Sequence, residues 1–255
     1  MLWYKAWLET RWRFLIGLGL LMCSAAITVL TYPKVLELLK LVPTVDLGGE
    51  LGRRINEAAT LARDYRGYVW SNWFRQNLMQ MWTIFAVLLG TGGLLSQVSG
   101  GGALFTLSLP VSRPRLLTVR AATGLAELLV LVLVPSLLIP LLSPSIGRSY
   151  GLGDALVHAA CLFIAGSVFF SLATLLSTVF GDVWRPLMIA LCLAALLALA
   201  ETVVDGLSRY SLLGVMSGER YFRGGGLPWP GLLVSAAASA LMLYGAAFNL
   251  ARRDF

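Results

Sequence analysis

The chain has 255 residues, of which 58% are hydrophobic and only 13% charged. Soluble domains carry about 25% charged residues, so this composition excludes an ordinary soluble domain. The formal net charge of +7 needs no nucleic acid, because membrane topology accounts for it.

In chain order, the first element is an amphipathic stretch at residues 2–13. On a helical wheel Lys5, Glu9 and Arg13 line one face, and Glu9 stands four residues from each cation, the spacing of helical ion pairs. Trp3, Tyr4, Trp7 and Leu8 occupy the other face. This predicts an interfacial elbow helix, either a plain aromatic anchor or an elbow that also packs on a partner at that membrane face. Arg11 lies near the apolar side, where its stem can snorkel.

Six apolar runs follow, at about residues 14–32, 78–98, 116–142, 155–180, 186–204 and 231–250. A span needs roughly 20 mostly apolar residues to cross about 30 Å of hydrocarbon. The runs are continuous rather than alternating, so they predict helices and not barrel strands. The first reads as a span and not a cleaved leader, since a long tryptophan-rich stretch precedes it and no small-residue cleavage site interrupts it. The expectation is an all-α polytopic membrane protein with one transmembrane domain over residues 1–255. With six spans both termini share a side, which also holds Arg113, Arg115, Arg120, Arg185, Arg252 and Arg253. By the positive-inside rule that side is cytoplasmic. The opposite side is also basic: loop 33–77 carries Lys34, Lys40, Arg53, Arg54, Arg63, Arg66 and Arg75, interleaved with acids.

That first outer loop repeats Leu51, Ile55, Ala58, Ala59 and Ala62 at helical spacing. It ends in Tyr65, Tyr68, Trp70, Trp73 and Phe74, which read as an aromatic belt at headgroup level, with substrate contact as the other reading. Between spans two and three lies the turn-rich, basic segment 99–115, whose apolar stripe ends in Pro110-Val111-Ser112-Arg113.

Span three contains Glu127, about eleven residues in and roughly 16 Å deep at about 1.5 Å per residue. An intramembrane acid is by default a functional candidate, here for substrate or gating contact. The alternative is a carboxyl bonded to backbone or hydroxyl groups between helices. Cys23, Cys161 and Cys192 all fall within spans with no CxxC pair, so they read as small buried apolar residues. The outer loop 205–230 is punctuated by Gly224-Gly225-Gly226 and prolines, and reads as a surface or re-entrant hairpin.

Candidate chemistry is thin. No GxxxxGK[ST] occurs, so the chain does not hold ATP through a P-loop. The single histidine, His158, offers no bis-histidine site, and no metal site is expected. A serine protease built on His158 with Ser96 or Ser99 would need residues from opposite ends of the bundle and lacks a glycine framework around the serine. The chain therefore does not read as an enzyme.

Three features together resemble the permease subunit of ABC-2-type ABC transporters: the 3–14 elbow, the sequence Gly102-Ala-Leu-Phe-Thr-Leu-Ser-Leu-Pro-Val-Ser-Arg113 between spans two and three, and the six-span layout with inside termini. The resemblance covers the whole chain. It implies a short cytoplasmic coupling helix within 99–115 that docks on a separate ATPase subunit through Leu104, Phe105, Leu107, Ser108, Leu109, Pro110, Val111 and Arg113. It further implies an exporter in the plasma (bacterial inner) membrane, working as a dimer with a second permease copy or paralogue. ATP and Mg would sit on the partner ATPase, with no cofactor on this chain. One departure from the family pattern is that Ser96-Gln97-Val98-Ser99 carries no charge before Gly100-Gly101-Gly102, which favours a loose hinge over charge-based gating. A membrane transporter or scaffold not linked to ATP is the competing class.

Overall fold

A computed structural model describes residues 2–41, 50–91, 113–203 and 211–252. Every regular element among these residues is helical. They are α1 (Leu2–Leu41), α2 (Glu50–Arg63), α3 (Tyr65–Tyr68), a π-helix (Val69–Leu78), α4 (Met79–Gly90), α5 (Arg113–Leu142), a 3-10 turn (Ser143–Ile146), α6 (Leu152–Val179), α7 (Trp184–Val203), α8 (Leu212–Met216), α9 (Glu219–Phe222) and α10 (Trp229–Arg252). Five of them (α1, α5 with its 3-10 turn, α6, α7 and α10) are long and apolar enough to cross a membrane. This is the build of a multi-pass membrane protein.

The other expected span, 78–98, is described only as far as Thr91. Its helix begins earlier than expected, because α3, the π-helix and α4 run without a break from Tyr65 to Gly90. The elbow is corrected as well. Leu2–Leu41 is one helix of 40 residues with no joint at residues 13–14. Nothing between Glu9 and Gly17 breaks a helix, and Pro33 is accommodated inside it. The buried side of α1 is a stripe of Ala6, Thr10, Phe14, Gly17, Leu21, Ala25, Val29 and Tyr32, the 3.6-residue period of a helix with one face on a core.

Helix α6 is the centre of the bundle, packed by α4, α5, α7 and α10. Small residues let its neighbours approach. A side chain at Gly166 would run into the Trp82 ring, and one at Gly90 would come within 2.6 Å of the Phe170 carbonyl oxygen. Trp82 is fully buried and donates from Nε1 to the Leu128 carbonyl at 3.0 Å, tying α4 to α5. Helix α7 is peripheral, with Trp184, Met188, Leu196 and Leu199 exposed, and lipid-facing apolar surface of this kind is ordinary for a span.

Contacts fix which helix ends meet. Arg13 near the start of α1 reaches Leu88 and Thr91 at the end of α4, and Glu9 reaches Arg120 near the start of α5. Asn249 near the end of α10 donates to Thr178 at the end of α6. The start of α1, the end of α10 and both described edges of the 92–112 connection therefore share one end of the bundle, called here the terminal end. At the opposite end the aromatic residues gather. The belt expectation is corrected there: Tyr65, Tyr68, Trp70, Trp73 and Phe74 are buried against the protein and do not face lipid headgroups.

Candidate functional site

A polar cluster lies inside the terminal end of the bundle, between α1, the end of α4 and the start of α5. It is built from helix-face residues. Thr10 falls on the buried stripe of α1. Arg120 and Glu127, seven residues apart on α5, share a face of that helix. Glu127 is 4% exposed, and its Oε1 meets the Thr10 hydroxyl, which donates to a carboxylate placed there. The same hydroxyl lies 3.2 Å from the Ala6 carbonyl. Thr10 can therefore serve either form of the acid: it donates to the carboxylate, or it accepts from the carboxylic acid and donates to Ala6. Glu127 Oε2 is buried with no hydrogen-bond partner among the described residues.

Around this pair stand two cations and a second acid. Arg120 Nη1 pairs with Glu9 Oε2 at 3.2 Å. Arg13 Nη1 donates to the carbonyls of Leu88 at 2.9 Å and Thr91 at 3.2 Å. These are carbonyls that α4 leaves open at its C-terminus, where a cation is also favoured by the helix dipole. Thr91, fully buried, adds its own hydroxyl bond to the Leu88 carbonyl at 3.1 Å. Two arginines against two carboxyls can balance in charge. The arrangement clamps three helices at the point where the chain leaves α4 for residues 92–112.

A second polar group sits at the aromatic end. Asp154 takes Arg66 at 3.2 Å and the Tyr221 hydroxyl at 2.8 Å. The Ser217 carbonyl accepts from Trp70 Nε1 at 3.1 Å and from His158 Nδ1 at 3.0 Å. Because a carbonyl only accepts, the His158 proton resides on Nδ1. Gly218 is left-handed (φ 64°), and a side chain there would reach within 2.7 Å of His158 Nδ1. Trp70 stacks on Phe222 at 4.2 Å, and His158 lies against Phe74 at 4.8 Å. This group closes the end of the bundle, and His158 serves there as a buried strut. An open cavity of about 1010 Å³ adjoins it, lined in part by Ser211, Glu219, Arg220, Arg223 and Val234.

Of the residues the sequence singled out, Glu9, Arg13 and Glu127 come together in the terminal cluster. The wheel put Lys5, Glu9 and Arg13 on one face of an interfacial helix. In the structure Glu9, itself exposed, pairs across to Arg120 of α5, Arg13 reaches the open carbonyls of α4, and Lys5 is half-buried. Trp3 is exposed, and Trp7 packs edge-on against Phe14 at 5.3 Å. Leu104, Phe105, Leu107, Ser108, Leu109, Pro110 and Val111 lie outside the described residues; Arg113 is the first residue of α5. Thr10 and Thr91, not named from sequence, and Arg120, counted there only for topology, complete the cluster. The seven-residue spacing of Arg120 and Glu127 was the available signal.

No protein family, curated protein or solved structure matches the chain.

Proposed function

We propose that this chain is the membrane-spanning subunit of an ABC-2-type exporter, driven by a separate ATPase that docks on residues 99–115. The second of its six spans is the α3–α4 course. What carries the reading is the terminal end of the bundle. The 92–112 connection leaves α4 and enters α5 beside the start of α1 and the end of α10; the Glu9–Arg120 and Arg13–Thr91 contacts bind α1 to α5 and to α4, and Leu117 packs with Ala246 and Leu250 of α10.

A force applied to the connection is transmitted through that cluster to α1, α4 and α5 at once. This is how a docked ATPase would rock the spans between two arrangements. The termini and the connection face the cytoplasm, the protein resides in the plasma (bacterial inner) membrane, and two permease copies or paralogues enclose the transport path. Glu127 belongs to the coupling cluster. ATP and Mg bind the partner, consistent with the missing P-loop.

Purification of the full chain from its native host in mild detergent tests the proposal. A nucleotide-hydrolysing subunit is expected in stoichiometric amount. Its absence from a folded, membrane-extracted preparation would favour the competing class, a transporter or scaffold not linked to ATP.

A further inference from the structure

The course from Tyr65 to Gly90 has two unlike sides. Inward it buries Trp70, Trp73, Phe74, Leu78 and Trp82. Outward it exposes Arg75, Gln76, Asn77 and Gln80, with Asn72 half-buried above them. The i→i+5 bonding of the π-helix widens its turns beyond 3.6 residues. Within it positions four apart, such as Asn72 and Gln76, stay in one column rather than drifting around the helix, and Gln80, second residue of α4, follows four residues on. Asn72, Gln76 and Gln80 form that column.

Its depth follows from two contacts with α6. Phe74 lies against His158 and Trp82 lies against Gly166. These are the seventh and fifteenth of the 28 residues of α6. Gln76 and Gln80 are thus level with the middle of a membrane-spanning helix, facing away from their own bundle. The side chains of Gln76, Asn77 and Gln80 make no hydrogen bond among the described residues. Lipid tails offer neither donor nor acceptor, and exposed polar groups at this depth are costly.

We infer that the Asn72–Gln76–Gln80 column is the seam between two copies of this chain. Complementarity selects that occupant. A primary amide both donates and accepts, so the same amides on a second copy answer each need without adding charge. Two copies inserted in the same sense are related by a two-fold axis along the bundle, which sets Gln80 against Gln80 of its mate. Amide side chains are established helix-to-helix links in membranes. Arg75 sits at the edge of the column, its guanidinium 5.4 Å from the Trp70 ring centre, which keeps two like charges out of the seam. The inference rests on the dimer in the proposed function and names the surface that forms it.

The test is disulfide trapping in membranes on the full chain. Cys23, Cys161 and Cys192 are first replaced by alanine. Single cysteines are then placed by Gln76→Cys and Gln80→Cys, and as comparators by Met188→Cys on α7 and Val234→Cys on α10. Copper-phenanthroline oxidation is expected to convert the Gln76→Cys or Gln80→Cys chain to a reducible dimer, at several times the yield of the comparators. The double variant Gln76→Leu/Gln80→Leu, still inserted, is expected to weaken self-association about tenfold, the scale of a few interhelical hydrogen bonds. Trapping at α7 or α10 alone, or unchanged association of the double variant, would overturn the seam. Labelling of Gln80→Cys by a membrane-impermeant maleimide would overturn it in favour of a water-lined path. A copurifying ATPase without trapping removes the seam and leaves the proposed function standing; trapping without an ATPase does the reverse.

Discussion

Glu127 on α5 and Thr10 on α1, 117 residues apart in sequence, share a hydrogen bond inside the bundle, and the second carboxyl oxygen of Glu127 has no partner among the described residues. Thr10→Val keeps the shape and removes the hydroxyl, taking away the one side-chain hydrogen bond the buried carboxyl makes among the described residues. The expected loss is about 1–3 kcal/mol of stability, read as a lower unfolding midpoint in detergent. Thr10→Ser should retain most of it. The double variant Thr10→Val/Glu127→Leu should lose less than the sum of its single changes, since no orphaned acid remains. Additive losses would show that the two residues do not act as a pair.

Arg13 closes the open end of α4 through the Leu88 and Thr91 carbonyls. Arg13→Leu removes charge-assisted bonds, expected to cost about 1.5–3 kcal/mol. Arg13→Lys should recover only part, because an ammonium is a point donor without the guanidinium fork. If the cluster transmits force from the docked ATPase, Arg13→Leu also lowers transport per ATP hydrolysed in the variant fraction that remains folded. Full coupling in that fraction would confine Arg13 to a structural role.

Two tyrosines at the aromatic end set an alkaline limit. Burial, assisted by nearby Asp154, raises the Tyr150 hydroxyl above its usual 10.0. The hydrogen bond to Asp154, assisted by burial, raises that of Tyr221. A folded-state value above the unfolded one means the stabilising contribution is complete below pH 10 and is lost as pH climbs from there toward the folded values. Unfolding midpoints should hold between pH 7 and 9 and fall beyond 10. Tyr150→Phe/Tyr221→Phe should make that fall shallower. An unchanged slope would show that these two residues do not set it.

Much of this was legible from hydropathy alone. The runs 116–142, 155–180, 186–204 and 231–250 match α5, α6, α7 and α10 to within three residues at either end. Hydropathy works there because lipid and a helical core both select apolar side chains. It failed at the α3–α4 course, where Asn72, Arg75, Gln76 and Gln80 dilute the apolar signal and a π register breaks the 3.6 period. A wheel shows which residues share a face but not what that face meets. Glu9 and Arg13 therefore read only as the polar face of an interfacial helix, when Arg120 and the open carbonyls of α4 were waiting for them. The tryptophans and tyrosines near residue 70 were misread for the same reason, since aromatic composition alone does not separate a headgroup belt from a packed cap.

Close helix approach at α6 depends on two glycines. A Cβ at Gly90 would lie 2.6 Å from the Phe170 backbone oxygen, and one at Gly166 would lie 2.3 Å from the Trp82 ring. Neither neighbour yields easily, for one is backbone and the other is a buried ring tethered to Leu128. Gly90→Ala and Gly166→Ala are each expected to cost about 1–3 kcal/mol through overpacking. Gly19→Ala, which meets nothing within 4 Å, serves as the neutral comparator. Equal midpoints for all three would mean the helices separate without penalty.

The docking segment gives the sharpest functional outcome. Leu107→Asp places a charge in the apolar stripe between Leu104 and Pro110, and Arg113→Glu inverts a cation at the start of α5. Both variants are expected to insert and purify like the parent. An ATPase contact made through these residues would be weakened by a buried charge in one case and by like-charge repulsion in the other. Each variant should reduce ATPase copurification and transport at least tenfold, with membrane levels unchanged. Undiminished ATPase binding and transport in both would rule out docking through 99–115. Loss of transport with the ATPase still bound would instead place the defect in the step that passes motion from the connection into α5.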